Sequence, residues 1–110
     1  MRLRRTPLYA ASAGALLLAF AWPAAAAPHT YTFVMDKLKF GAVPTGLRKG
    51  DTLIFVNKDM FKHSATATDG HSFDVDLPPG SAKKMVLTKT GTIPFFCRYH
   101  PNMRAVLVIK

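Results

Sequence analysis

The chain has 110 residues, with 15 Lys and Arg against 6 acidic residues and a formal net charge of +9. That length holds one domain with a modest core and excludes a second folded unit of any size. The positive balance favours acidic partners, but the basic residues are scattered and no recognition motif accompanies them, which excludes nucleic acid.

Taken in chain order, Arg2, Arg4 and Arg5 come first, then the apolar run "LYAASAGALLLAFAW", then "PAAAAP". These are the three regions of a secretory signal peptide. The expected cut follows Ala26, leaving a signal of residues 1–26 and a domain of residues 27–110. The alternative is a retained anchor, since the run approaches the roughly 20 residues that span a bilayer. The Arg4-Arg5 pair leaves Sec and twin-arginine export both open. An exported, periplasmic chain is the expectation, with no membrane contact after cleavage and a net charge of about +6 once three arginines have left.

After the signal no segment has helical periodicity. Short β-type runs follow one another: "TYTFVM", "LKF", "TLIFVN", "HSATAT", "KKMVLT", "TIPFFC" and "RAVLVIK". The segments between them, "VPTGLRKGD", "TDGH", "LPPGS" and "KTG", supply Gly, Pro and Asp for turns. Seven or so strands at this spacing predict an all-β sandwich. "TLIFVN" is apolar on both faces near its middle and should be central. Pro94 lacks an N–H and should fall at an edge, a bulge or an unpaired side of its strand.

The chain holds one cysteine, Cys97, in "FFCRYHPNM". It excludes an internal disulfide, and an exposed free thiol outside the cytosol would oxidise, so something should occupy or shield it. His100 and Met103 follow at intervals of three, placing thiolate, imidazole and thioether on one tight loop between two strands. Such a soft N/S donor set suits copper better than magnesium, calcium or manganese. A second nitrogen is needed, and His29, His63 and His71 are the candidates. His63, just after "TLIFVN", can lie at the same end of the sandwich. Two imidazoles, one thiolate and a long axial thioether make a blue-copper arrangement. His71 lies among turn residues and reads as solvated. His29 reads as a spectator, because Pro28 has no amide proton to lose and so cannot become an amide ligand. Met35, Met60 and Met85 read as core filling or isolated surface contacts.

At this point the chain resembles the cupredoxins, the small type 1 blue copper proteins. The likeness runs from "YTFVMDKLKF" through "KGDTLIFVNKD" and "FKHS" to "GTIPFFCRYHPNMRAVLVIK", and the "CRYHPNM" loop is most similar to that of the amicyanin type. The resemblance implies an eight-stranded Greek-key sandwich holding one type 1 copper on His63, Cys97, His100 and Met103. Ser64, Tyr99 and Asn57 would stand just behind these ligands. Ser64 replaces the asparagine usual there, and its hydroxyl can still tie the two ligand segments together with a shorter reach. Tyr99 replaces a proline, and its N–H is expected to donate to the Cys97 sulfur and raise the reduction potential.

Four protein donors leave no vacancy for a substrate, so the chain is not expected to be an enzyme. The expectation is a monomer that shuttles single electrons between redox proteins such as a c-type cytochrome and a periplasmic dehydrogenase. Tyr99, Pro101, Asn102, Met60 and Phe61 would form the docking face, with Lys62, Arg98 and Arg104 steering acidic partners. The rival reading is a periplasmic copper carrier, chaperone or buffer using the same ligands.

Overall fold

The computed structural model of the chain describes residues 2–4, 14 and 27–110. Most of the expected signal, residues 1–26, therefore lies outside the described residues. Eight strands follow: β1 (Thr30–Asp36), β2 (Lys39–Phe40), β3 (Thr52–Asn57), β4 (His63–Ala67), β5 (Asp74–Leu77), β6 (Ala82–Val86), β7 (Gly91–Phe96) and β8 (Arg104–Ile109). They form two four-stranded sheets, ordered β2-β1-β3-β6 and β5-β4-β7-β8. The all-β sandwich predicted from the pattern is what forms, and β3 is a central strand as its apolar run requires.

Alternation of side chains across each strand decides what enters the sandwich. Odd-numbered positions point inward: Phe33 and Met35 on β1, Leu53, Phe55 and Asn57 on β3, Ala65 and Ala67 on β4, and Ile93 and Phe95 on β7 are all buried. Phe95 joins the layers, its ring 5.5 Å from Phe33, 5.2 Å from Phe40 and 5.7 Å from Phe73 between centroids. These are offset or edge-on separations at which aromatic pairs attract beyond their burial. The same parity carries His63 at the start of β4 and Cys97 just beyond β7 into the interior at one end of the sandwich.

Pro94 sits on β7, which pairs with β8 along its length but with β4 only at Phe95 and Phe96. The proline thus lies just past the end of the β4 ladder, where its carbonyl accepts the Thr68 N–H at 2.9 Å. The strand that the hydrophobic pattern leaves out is β5, "DVDL". Aspartate is disfavoured in strands, and two of them in four residues disguise an alternation in which Leu77 is buried and Asp74 faces out.

The β1–β2 hairpin turns through Lys37 and Leu38, at φ 53° and 57°. Left-handed backbone at two successive non-glycine residues costs energy, and for leucine it is a real outlier. Something outside the turn must hold it, and that something lies at the site.

Candidate metal centre

His63, Cys97 and His100 come together, each offering one ligand atom with all three atoms inside 4.8 Å of one another. Cys97 Sγ is 3.7 Å from His63 Nδ1 and 3.8 Å from His100 Nδ1. An ion bonded at roughly 2.3 Å to sulfur and roughly 2.0–2.1 Å to nitrogen spans about 3.6–3.8 Å between those donors, at angles from tetrahedral to trigonal. The observed triangle therefore fits a bound transition metal. The loop after Cys97 is fastened on itself. Cys97 N–H donates to the Met103 carbonyl at 3.1 Å, and Met103 N–H donates to the His100 carbonyl at 2.9 Å. Met103 is buried at the loop's far end.

His63 is fully buried, and its Nε2 lies 2.6 Å from Asp59 Oδ2. A carboxylate on Nε2 places the proton there and leaves Nδ1 as a lone pair facing the sulfur. Burial would raise the Asp59 carboxyl, but hydrogen bonds from His63, Leu38 and Lys37 outweigh it and hold the group below the ordinary aspartate range. The two backbone donors are the N–H groups of the strained turn, Lys37 at 2.6 Å and Leu38 at 2.9 Å. One carboxylate thus holds the turn in its left-handed conformation and orients a candidate ligand.

Asp59 is in turn set by Asn57, whose Oδ1 accepts the Asp59 N–H at 2.8 Å. Asn57 Nδ2 donates to the carbonyls of Phe61 at 2.8 Å and Leu77 at 2.9 Å. Asn57 therefore stands two steps from the ligands and shapes the loop that carries Asp59. Sequence reasoning passed over Asp59; its i, i+4 spacing to His63 and a two-residue hairpin turn without Gly or Asn were the signals that could have found it.

Ser64 is fully buried and ties the segments together in both ways open to it. Its N–H donates to Cys97 Sγ at 3.4 Å, and its hydroxyl accepts the Arg98 N–H at 2.8 Å. The expectation for Tyr99 is corrected here: among the described residues, the backbone N–H that reaches the sulfur is that of Ser64. Strand β4 runs beside Cys97 and presents its amide laterally. The phenol of Tyr99 instead donates to Asp76 Oδ1 at 3.2 Å.

The remaining histidines stay apart from the cluster. His29 offers its backbone N–H to Asp51, and His71 is exposed near Lys89. Met35 is buried and Met85 half-buried, whereas Met60 is 86% exposed. Met60, Phe61, Tyr99, Pro101 and Asn102 are all exposed, and the Phe61 ring lies 6.2 Å from that of His100. Of the three charges expected to steer partners, Lys62 and Arg98 face aspartates, whereas Arg104 donates its Nε–H to the Pro101 carbonyl and has no acidic partner among the described residues. Arg98 forks to Asp74 at 2.5 Å and to Asp76, and Lys62 lies 3.9 Å from Asp76. Both cations also sit over the Tyr99 ring, at 5.0 Å for Lys62 and 5.6 Å for Arg98.

A family model described as a cupredoxin-like domain matches residues 9–109. Three solved structures illustrate the likeness. A point mutant of amicyanin in its reduced Cu(I) form at pH 4 is 21% identical, covering 74% of this chain and 82% of that one, with a TM-score of 0.62. A second amicyanin mutant, in its Cu(I) form, is 22% identical over 76% and 85% of the two chains, with a TM-score of 0.63. Amicyanin from Paracoccus versutus is 19% identical over 74% and 81%, also with a TM-score of 0.63. At these identities the likeness is one of fold. No curated protein matches the chain.

Proposed function

The chain belongs to the cupredoxin-like family, and from that premise we propose that it is an exported type 1 copper protein that passes single electrons between redox proteins. The observation that carries this reading is the triangle of His63 Nδ1, Cys97 Sγ and His100 Nδ1, with donor separations suited to an ion. Two imidazoles, a thiolate and the thioether of Met103 form the soft donor set that selects copper. Bound there, copper supplies one-electron chemistry between its two oxidation states.

The residues of the chain do the rest. Ser64 N–H donates to the Cys97 sulfur and helps fix its place. Asp59 fixes the His63 tautomer. The strands on either side keep the donors where they stand, so little rearrangement accompanies a change of charge. His100 is the half-buried member of the cluster, and the exposed faces of Met60, Phe61, Tyr99, Pro101 and Asn102 surround the route to it. A redox partner docking there would come closest to the cluster, in a small and short-lived encounter. A c-type cytochrome and a periplasmic dehydrogenase are the partner classes this reading implies. Residues 1–26 act as the signal and residues 27–110 as the secreted domain, which the N-terminal mass of the exported protein would check.

The deciding experiment is addition of copper(II) to the purified protein with its visible spectrum recorded. An intense thiolate-to-copper band that bleaches and returns through a redox cycle supports the shuttle. A colourless protein that yields copper(I) to a chelator would support a carrier instead, and a redox-silent site would indicate zinc.

A further inference from the structure

Arg98 carries a circuit of hydrogen bonds that leaves its backbone and returns to its side chain. The first bond runs from Arg98 N–H to Ser64 Oγ at 2.8 Å. Ser64 Oγ is 2.9 Å from Thr66 Oγ1, and Thr66 Oγ1 donates to Asp74 Oδ1 at 2.8 Å. Asp74 Oδ2 accepts from Arg98 Nη1 at 2.5 Å.

Each hydroxyl has one hydrogen, which settles the directions. Thr66 gives its hydrogen to a carboxylate that can only accept, so it must itself accept from Ser64. The Ser64 hydrogen is thereby committed, and its oxygen is free to accept the Arg98 N–H. The three bonds from the Arg98 N–H through Ser64 and Thr66 to Asp74 all point the same way, and aligned bonds of this kind reinforce one another; the Arg98 Nη1 bond meets them at Asp74 from the other side. Strand register makes the circuit possible. Ser64 pairs with Asp76 and Thr66 with Asp74 across β4 and β5, so all four side chains share one face. Two like charges on adjacent positions of that face call for a cation between them, and the planar Arg98 fork supplies one nitrogen to each.

We infer that Arg98 is a positioning residue for the Cys97 sulfur, holding it through the ring Ser64–Thr66–Asp74 rather than through any contact of its own with the sulfur. The peptide joining Cys97 to Arg98 is planar, so pinning the Arg98 N–H pins the Cys97 carbonyl. Ser64 therefore grips Cys97 at two points, through its own N–H at the sulfur and through its hydroxyl at the following peptide. The inference rests on the copper reading for its consequence, since sulfur placement relative to two imidazoles sets how strongly thiolate and copper interact. It does not rest on that reading for the ring itself. Exposed ion pairs add little to stability, and the side chains of Arg98 and Asp74 are 35% and 52% exposed. The circuit should therefore be felt in position more than in melting temperature.

The test uses the full domain with Asp74→Asn and Thr66→Val, read in two states. In the metal-free protein the Arg98 amide should exchange with solvent about tenfold faster in both variants, and the Cys97 Cβ resonance should move. In the copper(II)-loaded protein the thiolate-to-copper band should shift, while the melting temperature falls by no more than about 3 °C. Arg98→Lys keeps the charge but loses the fork, and should behave like Asp74→Asn. Exchange at the parent rate, or faster exchange with the Cβ resonance and band both unmoved, would overturn the inference. So would Arg98→Lys behaving as the parent, since charge alone would then suffice. A parent that shows no band would sink the copper reading, and the metal-free measurements would still decide the ring.

Discussion

His63 and His100 present the same ring atom to one sulfur at 3.7 and 3.8 Å, yet their surroundings have little in common. His63 is fully buried on a strand, with a carboxylate at its far nitrogen. His100 is half-buried on the loop, with an exposed phenylalanine ring beside it. The difference separates two tasks. One arm is set before any metal arrives, and its orientation belongs to the fold. The other reaches the surface, where a partner can approach.

That contrast can be broken most sharply by removing each imidazole and offering a free one. In His100→Gly the gap opens toward solvent, and millimolar imidazole should restore the visible band of the copper(II) protein. In His63→Gly the gap is enclosed and Asp59 is left without its partner, so the band should stay absent under the same conditions. Equal rescue of the two would show that the burial of His63 does not isolate it.

A smaller effect should separate the supports of the two arms. Asp59→Ala frees the His63 ring and releases the Lys37–Leu38 turn, and copper affinity should fall about 10- to 100-fold. Phe61→Ala, on the His100 side, should change affinity by no more than about threefold, because an exposed ring contributes little to holding a ligand. Competition with a chelator of known affinity measures both. A loss in Phe61→Ala matching that in Asp59→Ala would erase the distinction between anchor and rim.

The rim itself should respond weakly to salt. Lys62 and Arg98 face Asp74 and Asp76, so these four charges cancel locally. Burial works against the Asp76 carboxyl, but the Tyr99 hydrogen bond and the Lys62, Arg98 and Lys83 charges keep it ionised at neutral pH. Of the three steering candidates that leaves Arg104, which has no acidic partner among the described residues, so a partner docking here would meet one uncompensated charge beside the apolar ring around His100. Association with an acidic c-type cytochrome, followed by stopped flow, should slow by no more than about threefold between low and physiological ionic strength. A tenfold decline would mean that the basic residues steer after all.

How far the sequence displayed these features depends on where each was encoded. Strands such as β3 and β8 carry continuous apolar runs bounded by polar residues, and the loop carries Cys97, His100 and Met103 within seven residues, so fold class and those three candidates could be read directly, whereas His63, far upstream, is singled out by its place after β3 and by the family resemblance. What could not be read depends on pairs brought together by register. Asp74 and Asp76 look like turn residues until β5 lies against β4, where they become the counter-charges of Arg98. Asp59 looks like a loop aspartate until the β1–β2 turn folds over it. Tyr99 differs again: its free N–H was visible, but which amide reaches the sulfur is decided by the strand beside the loop rather than by the loop.

Asp51 tests whether the remainder of the fold is indifferent to the site, and its effect should be the smallest. Its carboxylate accepts the N–H of His29 at 2.9 Å and of Arg48 at 2.8 Å, joining the start of β1 to the segment before β3. Those two backbone hydrogen bonds, His29 first, lower its carboxyl below the ordinary value of 3.8. Because the folded value is depressed, the stabilisation is present above pH 3.8 and is lost as pH falls through the folded value. Asp51→Asn should therefore melt a few degrees lower than the parent at pH 7, and the two curves should converge as the pH falls well below 3.8. Other aspartates titrate in both proteins alike, so the gap between the curves isolates this one. The copper(II) spectrum should be the same in both. A gap that stays constant down to the lowest pH would mean that Asp51 acts through its shape, whereas a changed spectrum would mean that the anchored arm reaches further into the fold than Asp59 and Asn57.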